Sequence, residues 1–131
     1  MAEQQTGKII TPPHVYLERH ELETASVFAD LGKDVEFLKP SRTRGAKTPD
    51  IIMDGLLWEM KSPTGNGKKT VEKQLQRAGK QSKHIIFDAR RTALTDEYIE
   101  KEIRRQLLLS RSLKQVILIT KTAQTVAIKR K

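Results

Sequence analysis

The segment TPDIIMDGLLWEMKSP, residues 48–63, spells out a tight β-hairpin. Ile51, Ile52 and Met53 precede Asp54-Gly55, and Leu56, Leu57 and Trp58 follow it. Apolar runs on either side of a two-residue Asp-Gly loop are the strongest short-range hairpin signal, because both loop positions of the favoured turn need positive φ. The loop fixes a register in which Met53 faces Leu56, Ile52 faces Leu57, Ile51 faces Trp58 and Asp50 faces Glu59. Strand side chains alternate, so Lys61 shares a face with Glu59, while Trp58 and Met60 turn to the other.

Carboxylates opposed at roughly 5 Å between Cβ atoms repel each other. A divalent cation held between their oxygens would remove that repulsion. With an ammonium two residues along, the set suits metal-assisted attack of water on a phosphodiester. Asp50 and Glu59 are therefore candidate metal ligands, and Lys61 is the group that orients water or stabilises developing charge. Taken alone, an aspartate separated by eight residues from Glu-x-Lys recurs by chance, and a surface hairpin with ordinary charges reads the same way.

The surrounding sequence narrows the choice. A chain of 131 residues makes one domain, enough for a single sheet with helices packed on it. Its 25 Lys and Arg outweigh 16 Asp and Glu, for a net charge of +9 that makes nucleic acid the leading partner class. Residues 1–61 carry 8 basic and 10 acidic side chains, whereas residues 62–131 carry 17 and 6, so the positive charge follows the hairpin instead of surrounding it. The absence of cysteine excludes disulfides and thiolate metal sites. No apolar run approaches a membrane span, and the first residues lack the apolar core of a signal peptide, so no membrane role is expected. The location implied is cytoplasmic.

Residues 1–13 end in Thr11-Pro12-Pro13 and read as a flexible arm before a single domain over 14–131. A helix is expected over 14–31, burying Tyr16 or Leu17, Leu22, Ala25, Phe28 and Leu31 and stopping at Gly32. Glu18, Glu21 and Glu23 ride on it, and by pattern alone Glu21 is a solvated face residue. Residues 34–38 read as a short strand. The basic loop 39–47 carries Arg42, Arg44 and Lys47, which either grip phosphates or stay solvated. After the hairpin, SPTGNG at 62–67 holds no regular structure and should leave the rim of the site open. A cationic helix over 68–82 buries Val71, Leu75 and Ala78 and carries Lys68, Lys69, Lys73, Arg77 and Lys80 toward substrate phosphates. Gln74 and Gln81 lie on its edge, with Gln81 the better placed to reach substrate or water.

HIIFD at 84–88 reads as a central strand. Thr95 caps a third helix that runs to Leu109, with Ile99, Ile103, Leu107 and Leu108 inward, and strands at 116–120 and 125–128 close the chain. None of His14, His20 and His84 has a histidine or cysteine at ligand spacing, and all three read as structural or solvent-facing.

The order helix, strand, strand, strand, helix, strand, with Pro49-Asp50 and Glu59-Met60-Lys61 on the hairpin, resembles the PD-(D/E)XK nuclease superfamily over residues 14–90. The resemblance implies an α/β (α+β) fold: a central mixed β-sheet flanked by helices, core order αβββαβ, with a C-terminal helix and two further strands added. It also implies that a glutamate of the first helix completes the metal site, a position that Glu21 matches and for which Glu23 is the fallback. A closer resemblance, carried by LGKDVEFL (31–38), KTPDIIMDGLLWEMKSPTG (47–65) and QLQRAGKQSKHIIFD (74–88), is to the C-terminal tRNase domain of contact-dependent growth inhibition toxins. This implies tRNA as substrate, a site glutamine at Gln81, a cognate immunity protein and delivery into a target-cell cytoplasm. The sequence opens at a methionine with no delivery domain in front, which fits an excised piece or a stand-alone relative.

The combined expectation is an endonuclease dependent on a divalent ion, Mg²⁺ first and Mn²⁺ or Zn²⁺ as alternatives. Asp50, Glu59 and Glu21 would hold the metal, and Lys61 and Gln81 would act beside it. DNA is the second substrate. A non-catalytic nucleic-acid-binding module of the same fold is the alternative from another class. A protein whose charge serves solubility alone would not concentrate its cations after one hairpin.

Overall fold

A computed structural model describes residues 6–40 and 48–130. The elements are β1 (Ile9–Ile10), α1 (Arg19–Asp30), β2 (Val35–Phe37), β3 (Ile51–Met53), β4 (Leu56–Lys61), α2 (Thr70–Ala78), β5 (His84–Asp88), α3 (Asp96–Leu109), β6 (Gln115–Ile119) and β7 (Thr125–Lys129), with a 3-10 turn at Ala89–Arg91. The core order αβββαβ, followed by a helix and two strands, is as expected. One short strand, β1, precedes it within the stretch read as an arm.

Asp54 and Gly55 take φ of 54° and 75°, so the two-residue turn forms as the dipeptide requires. Ile51 pairs with Trp58, Ile52 with Leu57 and Met53 with Leu56, in the register the turn dictates. The seven strands line up in sequence order; the β1–β2, β4–β5 and β5–β6 pairs are parallel and the rest antiparallel. β5 is flanked by parallel neighbours and covered on both faces, which is why HIIFD is almost continuously apolar. Ile85 and Phe87 join Leu75 of α2 and Ile103 of α3 on one face. Ile86 joins Phe28 of α1, with Trp58 and Met53, on the other. The protein is thus α1, sheet, then α2 and α3 in layers. Glu59 pairs with Ile85 and Lys61 with Phe87, so both side chains face the α2/α3 layer.

The first helix departs from the sequence reading. It begins at Arg19, not near residue 14, because the chain after Pro12-Pro13 takes a positive φ of 63° at His14 and the helix starts from Glu18. Its buried positions are Thr24, Ala25, Val27, Phe28 and Ala29. Tyr16 precedes the helix and Leu31 is its C-terminal cap residue, so both are exposed, as is Leu22. Gly32 does end it, at φ 88°, with its N–H on Ala29 O. In α3 the hydroxyl of Thr95 accepts from Tyr98 N–H as expected, but Leu108, near the end of the helix, faces solvent.

Candidate functional site

The regular ladder stops at the Ile51–Trp58 pair: Asp50 N–H donates to Trp58 O at 2.9 Å, one residue off the register, and Met60 N–H donates to the side-chain Oδ2 of Asp50 at 2.8 Å. These bonds hold Asp50 close to Glu59, near enough for the two carboxyls to act on each other, although the regular pairing does not reach them. Glu59 is only 6% exposed. Burial pushes its carboxyl up from 4.5 to about 8, and the neighbouring Asp50 charge adds to the rise. Lys61 opposes the shift, with Nζ 3.5 Å from Glu59 Oε2, but does not cancel it. Glu59 Oε1 is buried with no hydrogen-bond partner among the described residues. The result is a strained acidic pair with an ammonium alongside, an arrangement of the kind that clusters at functional sites.

Lys61 opens onto a cavity of about 470 Å³. Lys73 and Arg77 of α2, Arg91 of the 3-10 turn and His20 of α1 line the same space, so three further permanent cations surround the hairpin lysine. This is a setting for a polyanion. Its rim is tied down and not left open: Arg91 Nη1 donates to Ser62 O at 3.0 Å, Thr92 Oγ1 to Gly65 O at 2.7 Å, and Ala93 N–H to Asn66 Oδ1 at 2.9 Å. The turn after β5 thus shapes the loop after β4. Lys68 and Lys69 lie exposed where the chain enters α2.

The two glutamines part company. Gln74 lines the Lys61 cavity, whereas Gln81 and Lys80 line another, of about 530 Å³, together with Pro49 and Leu57. Glu59 sits on β4 between Leu57 and Lys61, and so between the two openings. The reason is the length of α2: it ends at Ala78, and Gln81 lies past its end, at the turn that returns the chain to β5. Glu21 also departs from expectation, for its Oε1 accepts the N–H of Glu18 at 2.9 Å and closes the start of α1. Among the described residues no three His, Cys, Asp or Glu side chains form a metal-holding group, so Asp50 and Glu59 stand as a pair. Arg42, Arg44 and Lys47 lie outside the described residues.

Arg91 and His20 were not singled out for the site by the sequence, since neither is near the hairpin in the chain. Nor was the buried pair at the end of β5. Asp88, 2% exposed, receives Arg90 Nη2 at 2.8 Å, Arg90 Nε at 3.0 Å and Thr24 Oγ1 at 2.8 Å. Burial pushes its carboxyl up, but the hydrogen bonds from Arg90 and Thr24 outweigh that and hold it below the usual range. The network anchors α1 to β5 at the end of the sheet where Lys61 lies.

The family model described as contact-dependent growth inhibition CdiA C-terminal domain matches residues 47–125, which include the hairpin, α2, β5 and α3. A chain of the CdiA-CT/CdiI toxin and immunity complex from Burkholderia pseudomallei superposes with a TM-score of 0.71 at 20% identity, covering 94% of this chain and 99% of its own. At that identity the likeness establishes a shared fold. No curated protein matches the sequence.

Proposed function

The chain belongs to the contact-dependent growth inhibition CdiA C-terminal domain family, and on that premise we propose that it is a toxin nuclease hydrolysing phosphodiester bonds, with tRNA as first substrate and DNA as second. The observation that carries the reading is Glu59: a buried carboxyl with a pKa near 8, beside Asp50 and 3.5 Å from Lys61, which itself lines a cavity walled by cations. Lys61 pairs with one oxygen of Glu59 but leaves the other, Oε1, buried without a hydrogen-bond partner among the described residues, and an unsatisfied buried oxygen costs stability that a bound ion would recover.

The donors fit a hard divalent ion. Glu59 Oε1 lacks a partner, the ligands are oxygens, and two carboxylates with water and substrate completing the shell is the arrangement Mg²⁺ favours. Asp50 and Glu59 would hold it. Bound there, the ion would act as a Lewis acid toward the phosphate. Lys61 contributes an ammonium that positions the attacking water and stabilises negative charge as it develops. Lys73, Arg77 and Arg91 neutralise the phosphates of a strand lying across the cavity, and the loop at 62–66, held by Arg91, Thr92 and Ala93, forms the wall that aligns it. The structural likeness to a toxin and immunity complex supports a cognate immunity protein as a further partner. No helix among the described residues is long and apolar enough to cross a membrane.

Incubation of the purified protein with total tRNA and with plasmid DNA, each with and without EDTA, tests the reading. Cleavage of tRNA that EDTA stops supports it; binding without cleavage of either substrate would leave a binding module, and intact substrates with no binding would end the nucleic-acid reading.

A further inference from the structure

The cavity on the other side of Glu59 from Lys61 takes no part in the chemistry above, yet Pro49, the neighbour of Asp50, forms part of its wall. We propose that it receives one unpaired nucleobase of the substrate strand, next to the bond that is cut. The proposal rests on the nuclease reading and adds to it a requirement for an unstacked base.

A base needs a flat face to stack on, and His84 supplies one. His84 lines the cavity, and its ring is fixed by Trp58, with centroids 5.4 Å apart, and by Gln115 Nε2, which donates to His84 Nδ1 at 2.9 Å. Burial and the charges of Lys114 and Lys83 lower the imidazole pKa, so the ring is neutral near pH 7 and offers an uncharged π face. Aliphatic walls come from Leu56 and Leu57, which are 37% and 46% exposed on the hairpin.

An amide for the base edge comes from Gln81, which lines the cavity; its Oε1 is enclosed and has no hydrogen-bond partner among the described residues, so turning the amide outward to a base breaks no bond of that oxygen. Glutamine pairs with base edges through its donor and acceptor together. Ser82 is not free for this, as its hydroxyl already donates to Leu57 O at 2.6 Å. Lys80 and Lys83 add positive charge to the lining, where the phosphates on either side of the base would pass. A planar face, aliphatic walls, an amide and flanking cations match a nucleotide better than a peptide or a lipid. Within a duplex the same base is stacked and paired, and could enter only by flipping out.

Fluorescence anisotropy in EDTA, with a short unstructured RNA and with the same RNA annealed to its complement, tests the proposal without turnover. The wild type should bind the single strand about tenfold more tightly than the duplex at equal salt. His84→Ala and Gln81→Ala should each weaken single-strand binding about five- to tenfold and leave duplex binding within about twofold, while His84→Phe keeps the preference. If His84→Ala fails to fold, Gln81→Ala and Leu56→Ser decide. Equal affinity of the wild type for both RNAs, or variants that weaken both alike, would overturn the base pocket. Absence of salt-dependent binding to either RNA would instead overturn the nuclease reading on which it rests.

Discussion

Glu59 is an acid that the fold holds back from ionising, and that makes it testable by itself. In the unfolded chain its carboxyl titrates near 4.5, and in the folded protein near 8. Between those values the native state binds more protons than the unfolded one, so this group's contribution to stability is complete below pH 4.5 and is lost as the pH rises toward 8. Glu59→Gln removes the titration while keeping the shape. Its melting temperature relative to wild type should therefore climb steadily from pH 5 to pH 8; a constant difference would show that Glu59 is not a raised acid. The titration of Asp88, lowered in the folded state, lies at the acid end and does not overlap this window.

Asp50 gives a second test at the same scale. If the pair binds a divalent ion, saturating Mg²⁺ or Mn²⁺ should raise the melting temperature of the wild type, by about 3 kcal/mol of added stability at one hundred times the dissociation constant. Asp50→Ala should abolish that rise. An equal response in both proteins would remove Asp50 from the metal site.

At the scale of elements, substitutions in α2 test binding apart from chemistry. Lys73 and Arg77 line the Lys61 cavity, and Lys69 is exposed at the entrance to the helix. Each phosphate contact releases counterions, so the slope of log K against log salt counts contacts. Neutral substitution of Lys69, Lys73 and Arg77 together should weaken substrate binding and flatten that slope by about three units at most. A triple variant with the wild-type slope would return the helix to a solvated face. The metal-induced rise in melting temperature should survive in this variant.

How legible these elements were in the sequence depended on whether their determinants were local. The hairpin was readable, with its register from Ile51 to Trp58, because Asp54-Gly55 sets it without help from the rest of the chain, whereas the departure at Asp50, whose N–H bonds Trp58 O, was not. β5 matched residue for residue, and α3 was readable because Thr95 and the acids after it cap it locally. The start of α1 was not, since its phase depends on which residues meet the sheet and on a backbone turn at His14. Arg91 reaches the cavity only because the turn after β5 folds over the loop after β4, a tertiary fact that no spacing records. Lys121 belongs to the same class: its ammonium ties the turn through Ala89 O and Thr92 O from a strand connection some 30 residues away.

Across the whole molecule, the division of charge acquires a place. The acidic first half supplies the hairpin carboxylates, and the basic second half supplies Lys73, Arg77 and Arg91 around the cavity beside them. Strands in sequence order keep the hairpin next to β5, so α2 and the turn after β5 both close on β4. That convergence puts the acidic pair Asp50 and Glu59 close to a wall of cations contributed by distant parts of the chain. The most direct measurement is the single-turnover rate of tRNA cleavage by Lys61→Ala, with its substrate affinity measured alongside. Removal of an ammonium from the reaction centre should slow the chemical step by about two orders of magnitude or more while affinity changes little. Cleavage by Lys61→Ala at the wild-type rate would contradict a catalytic centre on this hairpin.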